Sequence, residues 1–409
     1  MILKAPSWLY GDQGRLLGLR ATRSFLYGFL QVILAIYLNQ VGFSALEIGV
    51  LFAVEIVFTS LLMVCMSFAG DRYGRKKVLL LSGFFLIVMG ITYSTTTSLV
   101  ALIIGAGVAG IIAGPSQTPF SPIEQALLAG KVEDQSRTTL FSSFFFIGAL
   151  LTTLGTFMSV VPELLSRSFG LGLLDSYRPL FLLIAVGGVI TVFFVLGIKE
   201  EPRQSKPKGL LSRKSSSRML RLTSSLSLDG LGEGFFVPFF ALFFYTRFGI
   251  DPLILGPVFA AGEILNALGL LVAGRVAMKT GLVNATVLSR FPAILMPLAL
   301  AFAPTFAIAV VLFVVGRFFS SMDVPLVQSY TMAVIDPDER ASVAGVVSMS
   351  KRLATVGGPV PAGFLFTQSL LALPFVIGSI FQFMSAGMYY TFFHKIQPPE
   401  ETATKSSLD

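Results

Sequence analysis

The sequence of 409 residues is short of the side chains from which most enzymes build a reactive centre. It contains one cysteine, Cys65, and one histidine, His394, which lies near the C-terminal end. A single cysteine forms neither an intrachain disulfide nor a cysteine-based metal site, and a single histidine excludes a histidine-based zinc centre. Because the sequence also has no nucleophile elbow and no metal-ligand spacing, we expect neither an enzyme nor a bound metal or cofactor.

Charged residues are also scarce: they make up 13% of the chain, whereas ordinary soluble domains contain about 25%. Apolar residues make up 54%, and apolar runs recur along the whole length. A run of about 20 residues is long enough to cross a hydrocarbon core of roughly 30 Å as a helix. The first run is longer than the apolar core of a secretory signal and has no small-residue cleavage site, so we expect it to be retained. The sequence therefore predicts a polytopic membrane protein.

The apolar runs form two sets of six predicted spans. The first set comprises 17–41, 45–69, 78–97, 99–129, 138–162 and 178–198. The second set comprises 222–247, 252–275, 281–302, 305–333, 340–366 and 369–394. A stretch rich in Lys, Arg and Ser separates the sets and is typical of a linker. The predicted division is a cytoplasmic N-terminus at 1–16, an N-terminal six-helix bundle at 17–198, a cytoplasmic basic linker at 199–221, a C-terminal six-helix bundle at 222–394 and a cytoplasmic tail at 395–409.

The distribution of basic residues predicts the orientation of the chain. With alternate loops placed on one side, four basic residues near the N-terminus, four in the segment 70–77 and eight in the linker fall on the same face. The opposite face receives Arg167, Arg178 and Arg247. By the positive-inside rule the first face is cytoplasmic, so both termini are cytoplasmic and the number of spans is even. The net charge of +8 is then explained by the membrane, and no nucleic-acid partner is expected.

The two sets of spans also resemble each other, which indicates an internal repeat. At an offset of 207 residues, Arg72 matches Lys279 and Gly74 matches Gly281. At an offset of 203 residues the matched pairs are Pro122 with Pro325, Gln125 with Gln328 and Arg137 with Arg340. We infer two similar six-helix bundles in parallel arrangement.

One loop has a more specific pattern. Residues 67–77 read Ser-Phe-Ala-Gly-Asp-Arg-Tyr-Gly-Arg-Lys-Lys. This stretch resembles the loop signature of the major facilitator superfamily, in which a small residue precedes Asp-Arg-x-Gly-Arg-Lys by four positions. Ser67 stands where the family usually has glycine. A degenerate copy in the second half keeps Gly274, Lys279 and Gly281 but has no acid, and the family shows the same asymmetry.

The resemblance implies an all-α integral membrane protein with twelve transmembrane helices arranged as two six-helix bundles. It also implies secondary transport by alternating access, without ATP, with spans one, four, seven and ten around a central cavity. Family membership does not identify the cargo. Drug/proton antiporters of this family usually carry an arginine in the fourth span and a Gly-Pro-rich signature in the fifth. Because residues 105–122 contain no arginine and residues 138–162 no proline before the last position, efflux and uptake both stay open.

The loop signature predicts a cytoplasmic gate. The carboxylate of Asp71 can accept hydrogen bonds from the first amides of a facing helix, where the helix dipole favours negative charge by about 0.3–1 kcal/mol. Gly74 permits the tight turn between two helices, and the basic residues after it can pair with acids of neighbouring cytoplasmic loops. The predicted gate residues are Asp71, Arg72, Gly74, Arg75, Lys76, Arg137 and Arg340.

Ionisable side chains at membrane depth cost roughly 2.5–3.5 kcal/mol on insertion scales and are therefore candidates for function. Asp229 and Glu233 lie one helical turn apart on the same face of the seventh span. Two close carboxylates in a low dielectric oppose each other's ionisation, so this pair could carry a proton or bind a cation. The alternative is a structural salt bridge to Arg23 of the first span or Lys351 of the eleventh.

The tenth span carries Arg317 and Asp323. Arg317 lies about 20 Å along its span, since each residue adds about 1.5 Å, so it could bind a carboxylate or phosphate cargo or pair with Glu263 of the eighth span. Lys351 and Arg352 are possible partners for Asp323. Glu263 and Glu55, both near mid-depth, are expected to be buried protonated acids that form hydrogen bonds across helices, although either could be a coupling site.

The fourth span is rich in glycine and proline, which break helices and free backbone carbonyls inside a bundle. Gln117 in this span could bind a polar cargo, or the break could serve only as a kink. Tyr27 and Gln31, one turn apart on the first span, could line the same cavity.

These observations predict a secondary active transporter of a small organic solute, coupled to protons. The expected partners are the solute, protons and the lipid bilayer, and a monomer is expected. Two alternatives stay open: drug or metabolite efflux in place of uptake, and a membrane receptor that has the same fold without transport.

Overall fold

A computed structural model describes residues 11–110, 118–130, 134–199, 213–335 and 339–396. This part of the chain is helical and contains no strand. The helices up to residue 196 are α1 Gly11–Val41, α2 Ala45–Tyr73, α3 Arg75–Thr95, α4 Leu99–Ala109, α5 Ser121–Gly130, α6 Asp134–Phe157, α7 Val161–Phe169 and α8 Arg178–Leu196. Those from residue 213 onward are α9 Arg213–Phe236, α10 Phe240–Phe248, α11 Pro252–Thr280, α12 Leu282–Ala301, α13 Phe306–Val334, α14 Arg340–Thr355, α15 Pro359–Thr367 and α16 Leu373–Phe393.

Nine helical segments in the described ranges are long and apolar enough to cross a membrane. They correspond to the predicted spans one to three and five to ten. The fourth and eleventh predicted spans are each divided into two shorter helices, α4 with α5 and α14 with α15. The twelfth corresponds to α16, which is 21 residues long but contains Ser379, Gln382 and Ser385. The helices are therefore consistent with twelve spans.

Glycine and proline explain the two divided spans. α4 ends where Gly110 adopts a left-handed conformation with φ of 59°, and its amide donates to the carbonyl of Ala106. In the eleventh span α14 ends at Thr355 and α15 begins at Pro359, and a turn that includes Gly357 and Gly358 separates them. Proline suits the first turn of the second helix, since no intrahelical donor is needed there.

The seventh span begins earlier than its hydropathy suggests. α9 starts at Arg213, so residues 213–221 of the predicted linker are helical. Met219 and Leu222 pack into an apolar cluster with Tyr330 and Phe393, which stabilises these first turns. A short 3-10 turn, Val237–Phe239, then separates α9 from α10 because Pro238 interrupts the helical hydrogen bonds.

The chain folds into two compact units. The first contains the described residues of 1–44, 50–204 and 249–260. Its core includes Leu16, Val78, Leu128 and Phe144 among other fully buried side chains. In this unit α1 packs closely on α6, because Gly28 lies against the backbone of Thr152 and Gly155 against that of Phe25.

The second unit contains the described residues of 45–49, 205–248 and 261–409. Besides the cluster around Tyr330, it has a group of contacting phenylalanine rings on α9, α10, α13 and α16, of which Phe243 and Phe375 are 4.7 Å apart between ring centroids. α9 packs closely on α14, because Gly230 and Gly234 lie against the carbonyl groups of Lys351 and Thr355. A side chain at either glycine would overlap the backbone of α14.

Candidate functional site

Asp229 and Glu233 both contact Lys351 in the second unit. The Lys351 ammonium donates to Asp229 Oδ2 at 2.7 Å and to Glu233 Oε1 at 3.1 Å. The side chains are exposed to different degrees: 9% for Asp229, 27% for Lys351 and 39% for Glu233. We call these residues the acid–lysine triad. Two carboxylates share one ammonium, so the triad has a formal charge of −1.

The local sequence positions this triad. The acids lie one turn apart on α9, and the two glycines that flank them, Gly230 and Gly234, let α14 approach closely. Lys351 lies on the facing turn of α14, so its side chain reaches both carboxylates. Of the two sequence alternatives for a salt bridge, the partner in the structure is Lys351 and not Arg23.

Arg23 is engaged within the first unit. Its guanidinium donates to the carboxylate of Glu124 on α5 and, at 3.3 Å, to the hydroxyl of Thr118. Both members of this ion pair are buried. Arg20, one turn earlier on α1, lies over the ring of Phe144 with its guanidinium carbon 5.0 Å from the ring centroid. The sequence interpretation did not include Glu124, although a lone acid within a predicted span is the signal that could have found it.

Asp323 forms a bidentate pair with Arg290 of α12. Arg290 Nε donates to Asp323 Oδ1 at 2.6 Å, and Nη2 donates to Oδ2 at 2.9 Å. Nη1 lies 3.3 Å from the hydroxyl of Ser385, and the guanidinium stacks on the ring of Tyr389 at 5.1 Å. The sequence-based partners for Asp323, Lys351 and Arg352, are therefore replaced by Arg290. Planar bidentate geometry favours an arginine at this position.

Arg317 contacts Glu263, the structural partner that the sequence allowed. Arg317 Nη2 donates to Glu263 Oε1 at 2.5 Å, and Asn266 Nδ2 donates to Glu263 Oε2 at 3.1 Å. Glu263 therefore accepts hydrogen bonds from two donors, one of them a guanidinium on another helix. Glu55 is buried in α2 and accepts a hydrogen bond of 2.9 Å from Thr59, one turn along the same helix.

The structure describes two of the three remaining residues that were predicted to line the cavity. Tyr27 is half-buried on α1, and Gln31 lies 3.4 Å from the hydroxyl of Thr156 on α6. Gln117 lies outside the described residues.

The gate loop has the turn that its sequence requires. α2 ends at Tyr73, Gly74 has φ of 101° and α3 begins at Arg75. The repeat-related turn has Gly281 with φ of 81° between α11 and α12, so the matched glycines serve the same purpose. Arg72 lies over the ring of Tyr73 at 5.4 Å.

Lys76 Nζ donates to the carbonyl of Leu196 at 2.7 Å. The side chains of Asp71, Arg137 and Arg340 lie outside the described residues.

Solved transporter structures share this fold. A bacterial homologue of the human lysosomal transporter Spinster, in an inward-facing conformation, superposes with a TM-score of 0.73 at 15% identity and covers 95% of this chain and 97% of its own. The nucleoside transporter NupG has a TM-score of 0.71 at 15% identity, with 94% and 99% covered. Among curated sequences, the uncharacterized membrane protein YJR124C of Saccharomyces cerevisiae is 23% identical over 395 residues, which is 87% of this chain and 88% of the yeast protein.

The family model described as Major Facilitator Superfamily matches residues 16–359 and 222–408. Together these matches cover nearly the whole sequence, including the gate loop and the triad. Transporters of this family bind small molecules within a membrane, so the chain is a multi-pass membrane protein and not an enzyme. It belongs to the major facilitator superfamily, as the loop signature at residues 67–77 implied.

Proposed function

We propose that the protein is a secondary active transporter that moves a small organic solute by alternating access and uses protons as the coupling ion. Family membership and the transporter fold support membrane transport. The acid–lysine triad supports the coupling ion, and it is the observation on which the proposal mainly rests.

The argument for protons is electrostatic. An unneutralised carboxylate at membrane depth is costly, roughly 2.5–3.5 kcal/mol on insertion scales. Lys351 neutralises one of the two acids of the triad, so the second acid is stabilised when it takes up a proton. Loss of that proton changes the charge of the triad by one unit and strengthens its hold on Lys351. Such a change can shift the equilibrium between two conformations of a transporter, because the conformations differ in which charge of the triad they stabilise.

The proposed topology follows the positive-inside rule, with both termini and the basic linker on the cytoplasmic side. The predicted bundles at 17–198 and 222–394 are the two moving parts, and the transporter works as a monomer. The gate residues Asp71, Arg72, Gly74, Arg75, Lys76, Arg137 and Arg340 close the cytoplasmic side in this proposal.

The test is flux in proteoliposomes with imposed pH gradients. Cargo is first identified by thermal stability of the purified protein against panels of sugars, organic acids, nucleosides and lipophilic cations, because a ligand of the folded state raises its stability. Radiolabelled uptake of the identified cargo is then measured with the lumen alkaline, acidic or equal to the outside.

A proton symporter accumulates cargo when the lumen is alkaline, and a proton antiporter does so when the lumen is acidic. Equal flux in all three conditions, with sodium gradients also without effect, would leave facilitated diffusion and refute coupling. Binding without any flux would identify a receptor with the transporter fold.

A further inference from the structure

The charged residues around the triad do not balance. Within the second unit the triad interacts electrostatically with the neighbouring pair: Asp229 with Arg290 and Glu233 with Asp323. The five side chains comprise three carboxylates and two cations. Arg290 and Asp323 satisfy each other through two parallel hydrogen bonds, so the surplus negative charge belongs to the triad.

The same region has a surplus of hydrogen-bond acceptors. Gln382 on α16 packs against Gly232, the residue before Glu233. It is 9% exposed, and its buried Oε1 accepts no hydrogen bond from the residues that the structure describes. Gln382 lies three residues before Ser385, which contacts Arg290, so the two side chains lie on the same side of α16. A buried acceptor without a donor is costly, which makes this oxygen a binding group for an N–H donor.

Lys351 indicates which chemical group fits. Its primary ammonium already lies between two carboxylates, at 2.7 and 3.1 Å. An ammonium has three N–H donors, whereas a quaternary amine has none. Glu233 is the most exposed member of the triad and the one with the longer bond to Lys351, so it is the acid that an incoming cation can reach.

We propose that Glu233 and Gln382 bind the primary ammonium group of a cationic solute, which displaces Lys351 from Glu233 and leaves that lysine on Asp229. This inference rests on the proposed transport function and names the class of its cargo: small solutes that carry a protonated primary amine. Lys351 is the internal occupant of the site, and the proton of the coupling cycle competes with the solute for Glu233.

The first test uses n-propylammonium as the probe and measures its dissociation constant by thermal shift and by isothermal titration of the purified full-length protein. Wild-type protein is expected to bind it saturably. Glu233→Gln should weaken binding at least tenfold, because the carboxylate is lost. Lys351→Ala should strengthen it at least tenfold, because the competing ammonium is lost. Asp175→Asn, in an exposed loop pair with Arg178, is the matched control and should bind as wild type does.

Tetramethylammonium and propionate separate the proposal from general charge attraction. Tetramethylammonium has the charge but no N–H donor, and propionate has the opposite charge, so neither should stabilise the protein. Equal binding of tetramethylammonium, or unchanged binding in Glu233→Gln, would overturn the proposal. The comparison of wild type with Glu233→Gln decides the question even where Lys351→Ala does not fold.

The pH dependence of binding separates this inference from the proposed coupling. The charged groups that act on Glu233 are Lys351 on α14, Asp229 on its own helix and Asp323 on α13. Arg290 on α12 pairs with Asp323 and lies over the ring of Tyr389 on α16. If a proton and the ammonium compete for Glu233, the affinity for n-propylammonium rises with pH. Affinity that does not depend on pH, but is still lost in Glu233→Gln, would support the amine site and contradict proton coupling there.

Discussion

At the scale of residues, the charged side chains of the second unit differ in how completely a partner of opposite charge neutralises them. Arg290 and Asp323 form two parallel hydrogen bonds that use both carboxylate oxygens and one edge of the guanidinium, while one ammonium is shared by Asp229 and Glu233. A buried ion pair in which each partner neutralises the other has a structural role, because removing one partner leaves an uncompensated buried charge and lowers stability. A shared ammonium leaves one acid able to exchange its partner. We therefore propose that the triad has the functional role and that Asp323, a candidate from the sequence, has a structural one.

This distinction predicts the effect of breaking the Arg290–Asp323 pair. Arg290→Met leaves Asp323 without its cation and should lower the free energy of unfolding by about 3–5 kcal/mol. The double variant Arg290→Met with Asp323→Asn should recover part of that loss, because the buried charge is removed as well. Denaturation of the purified protein in detergent measures both values.

The matched control for that experiment is the exposed pair of Arg178 with Asp175. Arg178→Met should change stability by no more than about 0.5 kcal/mol, since exposed ion pairs contribute little. If the double variant of Arg290 and Asp323 is as unstable as Arg290→Met alone, the uncompensated charge of Asp323 is not the reason for the lower free energy of unfolding.

At the scale of elements, the contact between α9 and α14 positions the triad. Gly234→Ala places a methyl group against the carbonyl oxygen of Thr355, so the two helices must separate. We expect a loss of about 1–3 kcal/mol in stability and weaker contact of Lys351 with both acids. Gly345→Ala on α14 is the control, because nothing lies within 4 Å of the added carbon, and it should be neutral or slightly stabilising. Equal melting temperatures for the two variants would contradict the packing argument.

The sequence predicted most elements because a membrane span is a local property of composition. Apolar runs indicated the spans, glycine and proline indicated the break near Gly110, and the spacing of Asp229 and Glu233 placed both acids on one face. The interruption near Gly357 was not predicted. The early start of α9 was missed because Arg, Lys and Ser in 213–221 have the composition of a linker. Only packing of Leu222 and Met219 on distant residues reveals that helix.

At the scale of the whole molecule, the sequence supplied pairings between helices only in part. The pairs of Lys351 with the two acids and of Arg317 with Glu263 were among its alternatives, whereas two other pairs were missed. Arg290 and Asp323 are 33 residues apart and Arg23 and Glu124 are 101 apart, and no local pattern connects them. The family, by contrast, was predictable from one loop of eleven residues, because its acid and glycine have a spacing that charge bias alone does not produce. In our proposal the residues that bind the cargo lie at contacts between helices, so the sequence predicted transport and left the solute open.

The most direct test of the account is pH-driven accumulation in proteoliposomes by wild-type protein and by the variant that combines Asp229→Asn with Glu233→Gln. The variant has no carboxylate in the triad that can take up and release a proton. We predict that it loses accumulation against a concentration gradient. It keeps exchange of cargo across the membrane once the cargo concentration is raised to offset the weaker binding expected without the Glu233 carboxylate, whereas Asp175→Asn behaves as wild type does. Accumulation by the double variant at the wild-type level would show that the triad does not couple transport to protons.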